Sequence, residues 1–201
     1  MGCGLLGPIL LGLGLSATAQ DDRRATIITF DVPGASQVTQ AFGINPAGAI
    51  PGVYFDSNGV NHRYVRNKQG AITTFDVPAA GTGAFQGTLP ESINPSGAIT
   101  GQYLDASGVN HGFLRDKHGV ITTFDAPGAG TGAGQRAIGG GIIPNGAILG
   151  EYVDANNVYH GFVRARDGNI TTFDVAGAEG TNASGINPAG AIPGVYFDSN
   201  G

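Results

Sequence analysis

The chain repeats itself, and this periodicity limits it to folds in which one small unit packs on copies of itself. A Thr-Phe-Asp segment occurs four times, and its phenylalanines are spaced by 45, 49 and 49 residues. The 17 residues from Gly43 to Gly59 are identical to those from Gly185 to Gly201, which indicates a recent duplication. A unit of this length cannot cover its own apolar faces, so the copies must bury them against one another.

The second repeat shows the strand pattern of each unit. Residues 97–105 and 109–115 are predicted strands, joined by the turn Ala106-Ser107-Gly108, in which glycine can adopt a positive φ. Residues 120–125, which are rich in β-branched side chains, predict a further strand. A shorter strand is expected before each Asn-Pro turn, and no segment after residue 25 has a helical period with capping residues. The fold class is therefore predicted to be all-β.

Four short strands in each unit predict tandem four-stranded antiparallel meanders in a β-propeller-like arrangement. Radial stacking would leave only short strand edges exposed. An open β-repeat array or solenoid is the alternative. The predicted array spans residues 20–201 and comprises a leading strand at 25–32, units at about 41–77, 88–126 and 136–175, and a partial unit at 182–201. Because the last unit stops inside a hairpin turn, we expect the array to be truncated at its C-terminus.

Residues 1–19 have the pattern of a secretory signal peptide. An apolar run over residues 4–16 is short for a membrane span and precedes the cleavage motif Ala17-Thr18-Ala19. Cleavage there would remove Cys3, the only cysteine. We therefore expect an exported protein without thiol chemistry, either secreted, on the cell surface or in the periplasm, and not inserted in a membrane after cleavage.

The composition argues against anionic partners of high charge density. The formal net charge is -5, and the 10 Lys and Arg residues form no basic run. Nucleic acids are therefore not expected as partners. Gly and Pro are abundant but show no collagen-like period, and 41% of the residues are hydrophobic, which argues against plain disorder.

Three histidines raise the question of a metal site, because histidine is a common metal ligand. They occur once per repeat, so in a propeller they would lie in different blades and would not converge. We predict instead a structural role, in which each histidine hydrogen-bonds within its own blade, while the aspartates that follow the repeat phenylalanines serve turns and strand ends. A solenoid would align the histidines in a ladder. The residues predicted to have this structural role are His62, His111, His160, Asp76, Asp125 and Asp174.

The remaining candidate chemistry is weak. A catalytic acid is needed once, whereas eight aspartates occupy two repeated positions, which is typical of turns and strand ends. No G-x-S-x-G motif occurs, and Glu is rare. The segment Asp56-Ser57-Asn58-Gly59 resembles the start of a calcium loop but lacks its spacing and terminal Glu. We expect no catalytic residues, no metal and no cofactor, with calcium as the weaker alternative.

The connections between units vary in length and content while the strands repeat, and such variation often marks a binding face. The repeat tyrosines are more typical of blade cores than of a sugar-stacking row. The polar residues predicted to form the binding face are Gln86, Glu91, Gln135, Arg136, Glu179 and Asn182.

The block His-Gly-Phe-Leu/Val-Arg at 111–115 and 160–164, with Ile-Asn-Pro upstream at 93–95, resembles the HAF-type extracellular repeat of bacterial secreted proteins. Gly112 and Gly161 stand where that family has alanine. The resemblance covers residues 25–201 and implies export and a tandem-repeat build, but it brings no catalytic residue or ligand.

Together these features predict a secreted or cell-surface repeat protein that acts as a non-catalytic binding scaffold, with an extracellular glycan or protein as its partner. One alternative is a carbohydrate-binding module of a secreted polysaccharide-acting system. A second alternative is a propeller hydrolase that uses blade-top loops.

Overall fold

A computed structural model describes residues 27–36 and 38–198 of the chain. The chain divides into two compact units, residues 1–30 and 31–201. Of the first unit only residues 27–30 are described, and they have no regular structure. The predicted signal peptide at 1–19 lies outside the described residues. Within the described ranges, no helix is long and apolar enough to cross a membrane.

The second unit is built from β-strands, which confirms the all-β prediction. We number the repeats I to IV in chain order. Repeat I contains β1 (Thr39–Ala41), β2 (Ile50–Phe55), β3 (Asn61–Arg66) and β4 (Ile72–Phe75). Repeat II contains β5 (Gly87–Ile93), β6 (Ile99–Leu104), β7 (Asn110–Arg115) and β8 (Ile121–Phe124). Repeat III contains β9 (Arg136–Ile142), β10 (Ile148–Val153), β11 (Tyr159–Arg164) and β12 (Ile170–Phe173). The described part of repeat IV contains β13 (Gly180–Ala183) and β14 (Gly194–Phe197).

Each complete repeat is a four-stranded antiparallel meander, as the sequence predicts. Successive repeats are joined by single parallel residue pairs, Asn61 with Gly87 and Asn110 with Arg136. These pairs connect repeats I to III into one mixed sheet of 12 strands, and β13 and β14 form a separate two-stranded sheet. In the described part of the chain the large sheet does not close into a barrel.

The leading strand predicted at 25–32 does not form in its described part, residues 27–32. The equivalent segments β4, β8 and β12 each pair with the third strand of their own repeat. Residues 27–32 pair with no strand of the described part of the chain. Ile27 is 88% exposed accordingly.

The hairpin between the second and third strands of each repeat follows the predicted turn chemistry. Gly108 has a φ of 82°, and the equivalent residue of repeat III is Asn157, with a φ of 65°. Asparagine tolerates this left-handed conformation better than most residues. The Asp105 carboxylate accepts hydrogen bonds from the amides of Ser107 and Val109, both through Oδ1, and so closes the turn.

Successive repeats pack face to face. In the registers of β6, β7 and β8, Ile99 and Phe113 point to one face and Phe124 to the other. Ile99 and Phe113 form a core cluster with Val77 and Phe75 of the preceding segment. Phe124 continues the stack, because its ring meets Phe162 of repeat III edge-on, with centroids 6.0 Å apart. The apolar faces of the meanders are therefore buried between repeats.

A ladder of buried asparagines joins the turns at one edge of this stack. Asn45 donates a hydrogen bond from Nδ2 to the carbonyl of Asn94, 3.1 Å away. Asn94 in turn donates to the carbonyl of Ile143 at 3.3 Å. Each bond spans 49 residues, one repeat length, so equivalent turns of repeats I, II and III lie side by side.

The glycine of the His-Gly-Phe block makes room for the repeat phenylalanine. A Cβ on Gly112 would overlap the ring of Phe124, and a Cβ on Gly161 would overlap that of Phe173. Repeat I has Arg63 at this position, and its side chain is fully buried. Arg63 donates one hydrogen bond to the carbonyl of His62, and burial lowers the pKa of its guanidinium to about 9.

Candidate functional site

The edge formed by the turns between second and third strands carries one histidine per repeat, and we call it the histidine edge. In repeat II, His111 on β7 lies opposite Tyr103 on β6. The two rings stack with centroids 5.0 Å apart. Nδ1 of His111 lies 2.9 Å from Asp125, just after β8, and Nε2 lies 3.5 Å from Asp105 in the turn. The imidazole is thus held between two carboxylates and an aromatic ring.

The same arrangement occurs in repeats I and III. Nδ1 of His62 lies 2.7 Å from Asp76, and Nδ1 of His160 lies 2.9 Å from Asp174. The tyrosine stacks on the histidine in both, with centroid distances of 5.2 and 4.7 Å. In each repeat the histidine and the aspartate at its Nδ1 are 14 residues apart. Their hydrogen bond connects the third strand to the residue that follows the fourth strand.

The three histidines share no bonding partner, because each is bonded to an aspartate of its own repeat. Among residues 27–36 and 38–198 no group of three or more His, Cys, Asp or Glu side chains is arranged to hold a metal ion. The tyrosines agree with a core role in part, since Tyr103 and Tyr152 are buried, whereas Tyr196 in repeat IV is exposed. The structural role of the histidines stays a prediction.

The turn aspartates of this edge are held in their ionised form. The amide of Val158 donates to Asp154 at 2.8 Å, and this bond, with the amide of Asn156, lowers the pKa of the Asp154 carboxyl. The amide of Val60 lowers the pKa of Asp56 in the same way. For Asp105 partial burial acts in the opposite direction, but the amide hydrogen bonds outweigh it and its pKa is lowered too.

These shifts predict that the protein loses stability in acid. A carboxyl whose pKa is lower in the folded than in the unfolded chain stabilises the fold above the unfolded value, and this stabilisation is lost as the pH falls through the folded value. We expect the midpoint of thermal unfolding to drop as the pH falls below about 4, the ordinary pKa of an aspartate carboxyl. The variant Asp154→Asn keeps a side-chain oxygen that accepts the bonds of the turn amides, but this side chain cannot titrate. Its loss of stability in acid should therefore be smaller than that of the parent. A curve as steep as that of the parent would contradict this account.

The residues predicted to form a loop binding face do not come together. Glu91, Arg136 and Asn182 lie on the first strands β5, β9 and β13 rather than on loops. The side chains of Gln86 and Gln135 bond within the segments that connect the repeats. Each side-chain oxygen accepts a hydrogen bond from the amide of a glycine three residues earlier.

Of this set, Glu91 and Arg136 are linked indirectly, because Glu91 lines a cavity together with Glu151, and Glu151 is the partner of Arg136. Arg136 donates to Glu151 at 2.7 Å and lies over the ring of Tyr159. Glu151 and Glu91 line a cavity of about 320 Å³ beside Ser184. Burial raises the pKa of Glu91. Glu179 is placed elsewhere, with its amide donating to the carbonyl of Phe197.

The edge opposite the histidines is formed by the turns between first and second strands and between third and fourth strands. A groove of about 530 Å³ opens there between repeats II and III. Repeat II contributes Lys117 and His118, and repeat III contributes Asn145 and Arg166. Leu114, at the end of β7, forms part of its apolar floor.

Basic residues concentrate at this second edge, which we call the cationic edge. Six of the eight described Lys and Arg residues lie there, but only two of the 13 described Asp and Glu residues, Asp116 and Asp167. The six are Arg66, Lys68, Arg115, Lys117, Arg164 and Arg166. The negative net charge and the lack of a basic run gave no indication of this surface. An Arg-x-Lys/Arg pattern that recurs every 49 residues could have predicted it.

The two basic positions of each repeat differ in their surroundings. Arg115 lies over the ring of Phe75, 4.8 Å from its centroid, and Arg164 lies over Phe124 at 5.1 Å. These two guanidinium groups therefore help to pack one repeat on the next. The other position is exposed in every complete repeat: Lys68, Lys117 and Arg166.

Comparison with known proteins leaves the family open. No protein-family model matches the chain, and no curated protein matches it. Among solved structures, the chain is similar to selenomethionine-substituted virginiamycin B lyase from Staphylococcus aureus, at 13% sequence identity and a TM-score of 0.37. The similarity covers 80% of this chain and 67% of that chain.

Proposed function

We propose that this chain is a secreted or cell-surface repeat protein of the bacterial HAF type, with a propeller-like stack of meanders, which acts as a non-catalytic binding scaffold. Export is supported by the apolar N-terminal segment and its Ala-x-Ala motif. The propeller-like build is supported by the face-to-face packing of repeats I to III and by the side-by-side asparagine turns.

The observation that carries the scaffold proposal is the threefold recurrence of one Tyr-His-Asp-Asp arrangement. An active site needs its acid and base in one place, where the surroundings differ from the rest of the fold. Here each histidine has the same partners in every complete repeat, and those partners connect the second, third and fourth strands. Such a group connects three strands of one meander and stabilises it modestly, because its aspartates are 41–52% exposed.

Replacement of His111 by alanine tests this proposal. A histidine that bonds a half-exposed carboxylate and stacks on a tyrosine contributes about 1–2 kcal/mol to the free energy of unfolding. His111→Ala should therefore lower stability by about that amount, measured by urea unfolding. The control is His118→Ala, because His118 is exposed in a turn of the cationic edge, and it should change stability by less than about 0.5 kcal/mol. Equal stability of His111→Ala and the parent would overturn the structural role of the histidine edge and reopen a catalytic one.

A carbohydrate-binding function is the second candidate, because the groove of the cationic edge combines amide, cationic and apolar groups in one concave surface. Sites for small polar ligands are commonly concave, with a few polar groups that fix orientation.

A further inference from the structure

We propose that the cationic edge binds a linear acidic polysaccharide, a polymer of uronate residues, with the exposed cations of successive repeats contacting successive carboxylates. This inference rests on the proposed binding function and names its ligand class. Three features of the described residues support it: the separation of charge between the two edges, the occurrence of one exposed cation in each complete repeat, and the composition of the groove.

The two edges of the stack have opposite charge. The histidine edge carries two aspartates in each complete repeat, and the cationic edge carries two basic residues in each. In a chain with a formal net charge of -5, an anionic polymer is repelled from the histidine edge and is attracted to the cationic edge. The fold therefore provides a surface for anions that the net charge does not reveal.

The exposed cations form a row with one member per repeat. Lys117 and Arg166 both line the groove between repeats II and III. Lys68 is the equivalent residue of repeat I, and the Asn45–Asn94 hydrogen bond places the turns of repeat I beside those of repeat II. Within the described part of the chain none of the three side chains forms an ion pair, so all three are available to an external carboxylate.

The groove between Lys117 and Arg166 suits a sugar ring that carries a carboxylate. Ser96 and Asn145 offer hydroxyl and amide groups, and Leu114, Ile142 and Pro144 offer apolar surface. None of the described lining residues is Phe, Tyr or Trp. His118 has the one aromatic ring among these described residues. Single-stranded nucleic acids usually stack successive bases on several aromatic rings, so this lining favours a ligand held by charge and hydrogen bonds.

Asp116 is the one carboxylate among the described lining residues, and it accepts hydrogen bonds from backbone amides of its own turn. Oδ1 accepts hydrogen bonds from the amides of His118 and Val120, at 2.9 and 2.8 Å. These amide bonds lower the pKa of Asp116, so this carboxylate stays ionised. Lys117 and Arg166 outnumber it in the lining, so the groove still attracts a uronate.

The experiment compares the binding of polygalacturonate with that of carboxyl-reduced polygalacturonate, which has the same linkages but no charge. The full chain is titrated with each polymer by calorimetry at low and high salt. We expect binding of the acidic polymer only, weakening as salt rises. The triple variant Lys68→Gln, Lys117→Gln, Arg166→Gln should bind roughly tenfold or more weakly, since each exposed ion pair contributes little alone.

Two matched variants sharpen the test. Asp167→Asn removes a negative charge from the cationic edge while an acceptor for the Asn169 amide remains, and it should tighten binding. Gln69→Ala changes an exposed uncharged residue of the same edge and should leave binding unchanged. Unfolding curves of all variants should match that of the parent, because the three cations lie on the surface.

The outcomes separate this inference from the scaffold proposal. Equal binding of the reduced polymer, equal binding by the triple variant, or no binding of polygalacturonate would overturn the uronate inference and leave the scaffold proposal in place. Tighter binding of single-stranded DNA or of anionic phospholipid vesicles than of polygalacturonate would overturn it as well. Recovery of polygalacturonate shortened after incubation would overturn the non-catalytic scaffold itself.

Discussion

Replacing Phe162 with alanine is expected to lower the free energy of unfolding by about 3–5 kcal/mol. Phe162 is fully buried, and its ring packs between Phe124 of repeat II and the core of repeat III. Truncation removes apolar contacts on both sides and leaves a cavity between repeats II and III. For a domain of this size the midpoint of thermal unfolding should fall by roughly 10 °C.

The matched control is Phe85→Ala. Phe85 lies in the connection between repeats I and II, where it is 76% exposed. Loss of an exposed ring should change stability by less than about 0.5 kcal/mol. If both variants lose the same stability, then the interface between repeats II and III does not carry the energy that the packing of Phe162 implies.

Replacing Gly150 with alanine is expected to lower the free energy of unfolding by about 3 kcal/mol, at the upper end of the usual cost of overpacking. Gly150 lies on β10, between β9 and β11. A Cβ there would overlap both the carbonyl oxygen of Ile138 and the ring of Phe162. The carbonyl belongs to the backbone of a paired strand, so it cannot move without breaking the ladder.

Gly140→Ala is the control for this variant, since it adds the same methyl group to the neighbouring strand β9. The nearest atom to a Cβ at Gly140 is the carbonyl oxygen of Leu149, 3.6 Å away, which is an ordinary contact. This variant should be as stable as the parent or slightly more stable, because alanine restricts the unfolded chain. Both proteins are measured by urea unfolding, and a Gly150→Ala variant as stable as Gly140→Ala would contradict the close packing around β10.

Local patterns in the sequence predicted the local structure. The β-branched run before each Asp became the fourth strand, and the Asp-x-x-Gly turns formed with glycine or asparagine at positive φ. The same pattern at residues 27–32 does not form a strand, and this segment pairs with no strand of the described residues. Propensity alone does not create a ladder.

Features that depend on contact between repeats were harder to predict. The burial of Arg63 follows from a neighbouring repeat closing over a position where repeats II and III have glycine. The polar residues Glu91 and Arg136 were expected on the loop face, yet they lie on the first strands of repeats II and III. The cationic edge is also a property of the stack, because its residues are 49 positions apart in the chain and meet only when the turns align.

The most direct test of the central claim, that the repeats stabilise one another through face-to-face packing, is a thermal unfolding curve recorded at once by far-UV circular dichroism and tyrosine fluorescence. The account predicts one sharp, reversible transition at the same midpoint for both signals, since no repeat can bury its apolar faces alone. Broad loss of the β signal, or midpoints that differ between the two signals, would contradict it and would show repeats that unfold independently.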